Sequence, residues 1–464
     1  MFELKDKTVL VIGLDPHAQA ACELLRHQGA QVFALSQTPA AAQGETAGKL
    51  SSLGVNIVPA FEALPQTLFD LTVVNPAAAN TAMQGLQSAS PLIGELELGS
   101  QQTNCLSIAI AGTNGKATTA ELVQRVLANN QRKALIAGDE TRPLCSVVER
   151  TKELDYLILK ADSFQLGHTH CFSPVVAVLL NLAPDRAHCA DAEQYVRSTA
   201  RLFRNQQAFD WAIIQSEALA RLQQLGLPVP AKIITFSATH PEADLYLDRG
   251  LIISRIPNWP GPLLDTDHCQ LRGPHNAENL MAALAVGHVL RLPLENIVDP
   301  IKTCTAGPHR FELVAEINGI QFINDSKATN LDALQKALMA ARPGPTGEAN
   351  VWLIAGGRDK GLEFHDLGPL LSKRVKRAFL LGEASEHIRA AWSLFTPCTT
   401  SHSLLEAVVE AAKAAASGDV VLLSPACSTF DEFRNYQQRG EVFCSAVKSI
   451  GRGGQAATPH INGN

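Results

Sequence analysis

What this chain lacks sets the first limits on what it does. Its ten cysteines, at 22, 105, 145, 171, 189, 269, 304, 398, 427 and 444, include no CxxC pair and no metal-finger spacing. A structural zinc site and a dithiol redox motif are therefore excluded, and the thiols read as reduced. There is no surplus of positive charge: 39 Lys and Arg stand against 45 Asp and Glu, a net of −6. A nucleic-acid partner is not expected, because such binders depend on Lys and Arg to displace counterions from phosphates. Nor is there a long apolar run. Lys5, Asp6 and Lys7 precede a short apolar stretch that stops at Asp15, too short for a signal peptide and far too short for a membrane span. A cytoplasmic chain without membrane insertion is expected, with small-molecule partners and a monomeric state. What remains is a globular composition, 46% hydrophobic and 18% charged over 464 residues, a length that suggests about three domains.

The most informative segment is Gly112-Thr113-Asn114-Gly115-Lys116, preceded by the apolar run Leu106 to Ala111 and followed by a stretch with Leu122, Val123, Val126 and Leu127 on one helical face. This is the order strand, phosphate loop, helix. Glycines let backbone N–H groups approach phosphates, and a lysine supplies a mobile positive charge. The next residue of such a loop is ordinarily Ser or Thr, whose hydroxyl ligates Mg²⁺, but here it is Ala117. Thr118 and Thr119 come one and two places late. With about 100° of rotation per residue, neither side chain inherits the same direction.

The spacing predicts a βαβ opening, with a strand over Thr8 to Leu14, a helix over Ala18 to Arg26 and a strand over Gln31 to Leu35. The turn between the first two, Gly13-Leu14-Asp15-Pro16-His17-Ala18, holds one of the three glycines of G-x-G-x-x-G. Asp15 is placed to cap the helix itself, occupying the dipole end that a phosphate would seek. A strand is expected at Leu71 to Val74, with a first boundary after 98. The second unit, 99–307, continues through Tyr156 to Leu159, Val175 to Leu180 and a helical Tyr195 to Phe203. The third, 308–450, has strands at Gln321 to Ile323, Val351 to Ile354, Ala378 to Leu381 and Val420 to Leu423, and residues 451–464 read as a disordered tail.

Five further motifs carry a resemblance. Gly273-Pro274-His275-Asn276 with Asn279, His309-Arg310-Phe311-Glu312, Asn324-Asp325-Ser326-Lys327-Ala328-Thr329-Asn330, Gly356-Gly357-Arg358-Asp359-Lys360, and Ser424 to Phe433 with Tyr436 and Arg439-Gly440 follow one another in order. With the phosphate loop, they resemble the Mur ligases, the ATP-dependent enzymes that build the peptide of bacterial cell-wall precursors, and among them the D-glutamate-adding branch. The resemblance implies an α/β fold of three domains: an N-terminal Rossmann-like domain for the UDP-linked substrate, a central P-loop-type parallel sheet for ATP, and a C-terminal Rossmann-like doubly wound domain for the amino acid. It implies ATP and Mg²⁺ as cofactors and UDP-N-acetylmuramoyl-L-alanine and D-glutamate as substrates. Carried residue by residue, it assigns Gly112, Thr113, Asn114, Gly115, Lys116, Ala117, Thr118, Asn276, Asn279, Arg310 and Asp325 to ATP. Lys327, Thr329, Lys360, Thr429, Phe430 and Tyr436 go to the amino acid.

The central motifs depart from the family pattern. Lys160 stands where the family has Glu, Arg186 where it has His, Thr199 where it has the carbamylated lysine, and Asp139 where it has Asn, in addition to Ala117. Mg²⁺ needs hard oxygen ligands, which Lys160 and Arg186 cannot supply. Two readings stay open. In one, Lys160 and Arg186 join Lys116 as cationic catalytic groups on the phosphates. In the other, the protein is a catalytically impaired relative that binds nucleotide or amino acid. In the first domain the family's glycines at 15 and 18 are missing, and Ser36 replaces an expected acidic residue.

Overall fold

The computed structural model describes residues 3–36, 38, 40–65, 68–75, 90–183, 191–344, 347–359, 361–429 and 432–453. Arg186, Lys360 and Phe430 lie outside the described residues, as does 454–464 of the expected tail. The chain divides into two compact units, one carrying 1–184, 191–269 and 275–304, the other 305–464 with 270–274.

The first unit holds two sheets. Strands β1 (Thr8–Ile12), β2 (Gln31–Leu35), β3 (Asn56–Val58), β4 (Leu71–Val74) and β5 (Leu92–Gly94) form a parallel sheet of order β3-β2-β1-β4-β5. Helices α1 (Pro16–His27), α2 (Glu45–Ser52) and α3 (Glu95–Ser100) accompany it. The buried faces of α1 and the strands share one apolar core, including Val9, Val11, Cys22, Leu25, Val32 and Val73. The boundary expected after 98 falls inside α3. That helix ties the two halves of the unit together. Glu97, fully buried, accepts backbone N–H groups from His170 (3.1 Å), Cys171 (2.9 Å) and Phe172 (3.0 Å). Glu95 accepts Cys145 N (2.6 Å) and faces His17 Nδ1 at 3.1 Å. Burial lowers the His17 pKa, but the hydrogen bond and charge of Glu95 outweigh it and the net shift is upward.

The second sheet runs β14-β13-β12-β11-β10-β9-β6-β8-β7. Its strands are β6 (Leu106–Ala111), β7 (Ala134–Ala137), β8 (Tyr156–Lys160), β9 (Val176–Leu179), β10 (Trp211–Gln215), β11 (Lys232–Ser237), β12 (Leu245–Asp248), β13 (Leu251–Ser254) and β14 (Gly261–Asp265). Helices α4 (Lys116–Asn129), α5 (Ser163–Gly167), α6 (Ala192–Ala200), α7 (Ser216–Gln224), α8 (Pro274–Val289) and α9 (Leu294–Lys302) connect or cover it. From β7 to β12 the sheet is parallel, as the alternating pattern predicts; β12 to β14 are antiparallel. The local reason is the two-residue turn Arg249-Gly250, with φ of 46° and 86°, which reverses the chain as a hairpin.

The other unit has the sheet β15-β16-β20-β17-β18-β19. The strands are β15 (Glu312–Ile317), β16 (Ile320–Asn324), β17 (Val351–Gly356), β18 (Val375–Leu381), β19 (Cys398–Thr400) and β20 (Val420–Leu423), with helices α10 (Leu331–Ala340), α11 (Gly368–Arg374), α12 (Ser385–Trp392), α13 (Leu404–Ala414) and α14 (Tyr436–Gly453). Apart from the β15–β16 hairpin, closed by Asn318-Gly319 at φ 52° and 76°, it is parallel. Helix α14 continues to Gly453, so 451–453 belong to it and not to a disordered tail. No described helix is long and apolar enough to cross a membrane.

Candidate active site

The phosphate loop joins β6 to α4. Gly112 and Gly115 have φ of 136° and 90°, values closed to most L side chains, and Gly115 also lacks room: a β-carbon there would lie 2.5 Å from Asn279 Oδ1. No side chain caps α4, whose N-cap is Gly115. The Lys116 ammonium folds back onto the loop, donating to Gly112 O (2.5 Å) and Thr113 O (3.3 Å). The loop is braced from behind. Asn181 accepts Asn114 N (2.9 Å) and donates to Asn114 O (3.0 Å), an exchange that copies a backbone ladder. Thr113 Oγ1 donates to Ala183 O (2.7 Å) and shares a hydrogen bond with Tyr195 Oη (2.8 Å).

Asn279, buried on α8, accepts from Thr119 Oγ1 (3.2 Å) and donates to Asn276 Oδ1 (3.2 Å), so both asparagines of the motif stand beside the loop. Thr118 and Thr119 are buried in the first turn of α4, and the hydroxyl of Thr119 is turned to Asn279. Neither Asn181 nor Tyr195 was singled out by motif. The signal was available in Leu180-Asn181, where an amide follows a fully buried strand.

Lys160 ends β8, in register with Ile110 of β6, and so stands next to the strand that feeds the loop. Its ammonium forms an ion pair with Asp139 Oδ2, which reaches it from the end of β7 across Gly138. A β-carbon at Gly138 would collide with Lys160 O. Burial would raise the Asp139 pKa, but the hydrogen bonds from Lys160 and Thr141 hold it below the usual carboxylate value. Two of the departures, at 139 and 160, are therefore one paired change, and Lys160 is not the uncompensated cation that the sequence alone suggests. Gln165, in the capping box of α5 with Asp162, donates to Gly138 O (2.9 Å) and fixes this corner. Thr199 is buried and its hydroxyl donates to Tyr195 O of its own helix (2.8 Å). Among the described residues no group of three His, Cys, Asp or Glu side chains is arranged to hold a metal ion.

In the other unit Asp325 follows β16. Its carboxylate accepts Phe311 N (3.0 Å) and Ser424 Oγ (3.0 Å). Burial pushes its pKa up to about 7, against the lowering effect of those donors. His309 and Phe311, on either side of Arg310, have φ of 64° and 48°, a strained turn that sets the Arg310 backbone beside Asp325. Lys327 Nζ lies 3.9 Å from the centroid of the Tyr436 ring, so two residues assigned to the amino acid meet in a cation–π contact. Thr429 is buried and Thr329 half-buried. Arg439, also buried, binds the strand-end segments together: it donates to Ser326 O (2.8 Å), Ser326 Oγ (3.1 Å) and Cys427 O (3.3 Å). Gly357, at φ 141°, packs against Ser428 O, where a side chain has no room.

Residues 110–287 match the Mur ligase middle domain, and 309–427 match the Mur ligase, glutamate ligase domain. A UDP-N-acetylmuramoylalanine–D-glutamate ligase of Acidobacterium capsulatum is 35% identical over 457 residues, covering 96% of this chain and 97% of that one. The chain belongs to the Mur ligase family. The enzyme of the same name from Geobacillus kaustophilus is 34% identical, covering 96% and 98% of the two chains. The fold of this Mur ligase is that of solved members with three domains. MurF ligase of Thermotoga maritima, crystallised with ADP, superposes with a TM-score of 0.59 at 16% identity, covering 97% of this chain and 96% of that one. The Mur ligase family uses ATP and Mg²⁺.

Proposed function

We propose that this chain joins D-glutamate to UDP-N-acetylmuramoyl-L-alanine at the expense of ATP, in the cytoplasm and as a monomer. The observation that carries the reading is the near full-length match to ligases bearing that activity, together with an uncapped phosphate loop whose lysine sits at its centre. The acceptor carboxylate attacks the ATP γ-phosphorus, the bond to the β–γ bridging oxygen breaks, and an acyl phosphate and ADP result. The D-glutamate amine then adds to the acyl carbon, phosphate leaves, and the amide remains after loss of a proton. Activation is required because a carboxylate is a poor electrophile, and the transferring phosphoryl needs its charge neutralised.

In this reading Lys116 swings from the carbonyls of Gly112 and Thr113 onto the phosphates, while Ala117 and Thr118 in the first turn of α4 present backbone N–H groups. Asn276, Asn279, Arg310 and Asp325 position the nucleotide. Lys327, Thr329, Lys360, Thr429, Phe430 and Tyr436 hold the amino acid, with the Lys327–Tyr436 contact giving way to a carboxylate. The residues at the usual metal positions do not fit Mg²⁺: Ala117 has no oxygen, Lys160 is a cation held by Asp139, and Thr199 is turned into its own helix. No step is assigned to the metal. In this reading Lys160 and Arg186 join Lys116 as cationic groups toward the phosphates, Lys160 on release from Asp139.

The ion pair also favours a second reading, a catalytically impaired relative, because the charge of Lys160 is already committed to Asp139. ADP release with ATP, UDP-N-acetylmuramoyl-L-alanine and D-glutamate, with and without Mg²⁺, decides between them. Turnover that depends on all three substrates supports the ligase. Nucleotide binding without turnover supports the second reading, and neither binding nor turnover ends both.

A further inference from the structure

At the C-terminal edge of the second sheet a positive charge is built into the chain itself. Strands β6, β8 and β7 lie side by side and run parallel, so their ends share one edge: the phosphate loop leaves β6, Lys160 closes β8, and Gly138 and Asp139 follow β7. One strand spacing, about 5 Å, separates Lys160 from the strand that feeds the loop, a distance that a lysine side chain spans.

The two partners of the Lys160–Asp139 ion pair are held differently. Asp139 is fixed by its own turn: Oδ1 accepts Thr141 Oγ1 (2.6 Å) and Arg142 N (3.3 Å), Arg142 N also donates to Asp139 O (3.0 Å), and Gly138 N donates to Arg142 O (2.8 Å). Its place does not depend on Lys160. The ammonium has three donors, and among the described residues Asp139 is its one hydrogen-bond partner, so donors remain for a ligand. The Lys160 side chain is only 16% exposed, and water screens its charge less than it would at the surface. A divalent cation at this edge would meet that ammonium as a like charge and find no oxygen on the side chain of Ala117. Metal also cancels two of the negative charges of a nucleotide. A cationic site therefore attracts the metal complex less than the bare nucleotide.

We propose that the phosphate loop takes the metal-free nucleotide, with Lys160 supplying the countercharge a divalent cation would bring and Asp139 holding that ammonium until phosphate oxygens compete for it. The proposal rests on the nucleotide site of the ligase reading and not on its other substrates. Asp139 acts on the nucleotide only through Lys160, as a positioning residue.

Calorimetric titration of the full chain with β,γ-methylene-ATP, whose γ-phosphoryl is not transferred, tests this in EDTA and in excess Mg²⁺. Affinity in EDTA should match that in Mg²⁺ within about twofold or exceed it. Lys160→Ala should weaken binding in EDTA by about tenfold, and Lys160→Arg should restore most of the loss. Asp139→Asn keeps an acceptor for Thr141 and drops the charge, so it should tighten binding in EDTA by about threefold or more. Opposite effects at the two ends of one ion pair separate a charge role from a bracing role, because loss of a brace weakens binding from either side. Lys160→Gln serves if the alanine variant does not fold, as read by thermal melting. Binding by the native chain more than about twofold tighter in Mg²⁺ overturns the proposal, as does no binding in EDTA. So does Asp139→Asn that weakens binding or leaves it unmoved, or Lys160 variants without effect. The ligase reading fails separately: metal-free binding as proposed without ADP release on adding both substrates defeats that reading alone, and ADP release with nucleotide bound only as its Mg²⁺ complex defeats this proposal alone.

Discussion

The turn from β1 to α1 and the turn from β6 to α4 share one topology, a parallel strand running through a glycine-bearing turn into the next helix, yet they treat the helix N-terminus in opposite ways. In the first, Asp15 and Pro16 consume or delete every first-turn donor. In the second, Gly115 occupies the N-cap without a side-chain cap, and the nearby charge is the ammonium of Lys116. One helix end is closed by a carboxylate and the other is held open beside a cation. The comparison teaches that strand, turn and helix alone do not make an anion site; the residue at the cap decides it, because the same N–H groups cannot serve a side chain and a phosphate at once.

The strongest test removes the cation. Lys116→Ala is expected to lower ADP release by on the order of a hundredfold or more, read in a coupled ADP assay, since the developing charge loses its neutralising partner. An unchanged rate would mean that the two turns do not differ in function. Gly115→Ala should cost about 2–4 kcal/mol of stability in denaturant titration, because φ of 90° and the contact with Asn279 leave a methyl group no place.

The end of β16 extends the comparison to a third strand, where Asp325 is held by Phe311 N and Ser424 Oγ. Its folded pKa of about 7 lies above the unfolded value of 3.8, so the folded state binds the extra proton between these limits. The stability this contributes is present below pH 4 and is lost as pH rises through 7, on the order of 4 kcal/mol in all. Asp325→Asn should flatten that slope in thermal melts between pH 4 and 8. The smallest effect is at the closed turn: Asp15→Ala should cost about 1 kcal/mol through loss of the α1 cap, a shift of a few degrees at most in the melting temperature.

Much of this was legible along the chain. The strands at Gln31–Leu35, Leu71–Val74, Leu106–Ala111 and Val420–Leu423 coincide with the apolar runs, because a strand covered on both faces is continuously hydrophobic. The Asp15 cap was legible too, since an Asp one residue before a proline at the helix start admits few other roles. The two hairpins escaped that pattern: Arg249-Gly250 and Asn318-Gly319 sit between strands too short and too mixed to announce themselves, although Asn-Gly is itself a turn signal. The bracing of the loop by Asn181 and Tyr195 joins residues 67 and 82 positions from their partners, a separation that one sequence without its fold does not bridge.

By itself the sequence determined the order of α/β units, the phosphate loop with its lysine, and the run of motifs that marks a Mur ligase, because each depends on neighbours within a few positions. Only the tertiary structure decided what the departures mean. Lys160 looked like a bare cation until β7 and β8 brought Asp139 to it, and Asp15 Oδ2 and Asn75 Oδ1 are buried without a partner among the described residues only where β1 and β4 lie side by side. Charge compensation and hydrogen-bond satisfaction depend on distances between atoms far apart in the chain, and the pairing of strands sets those distances.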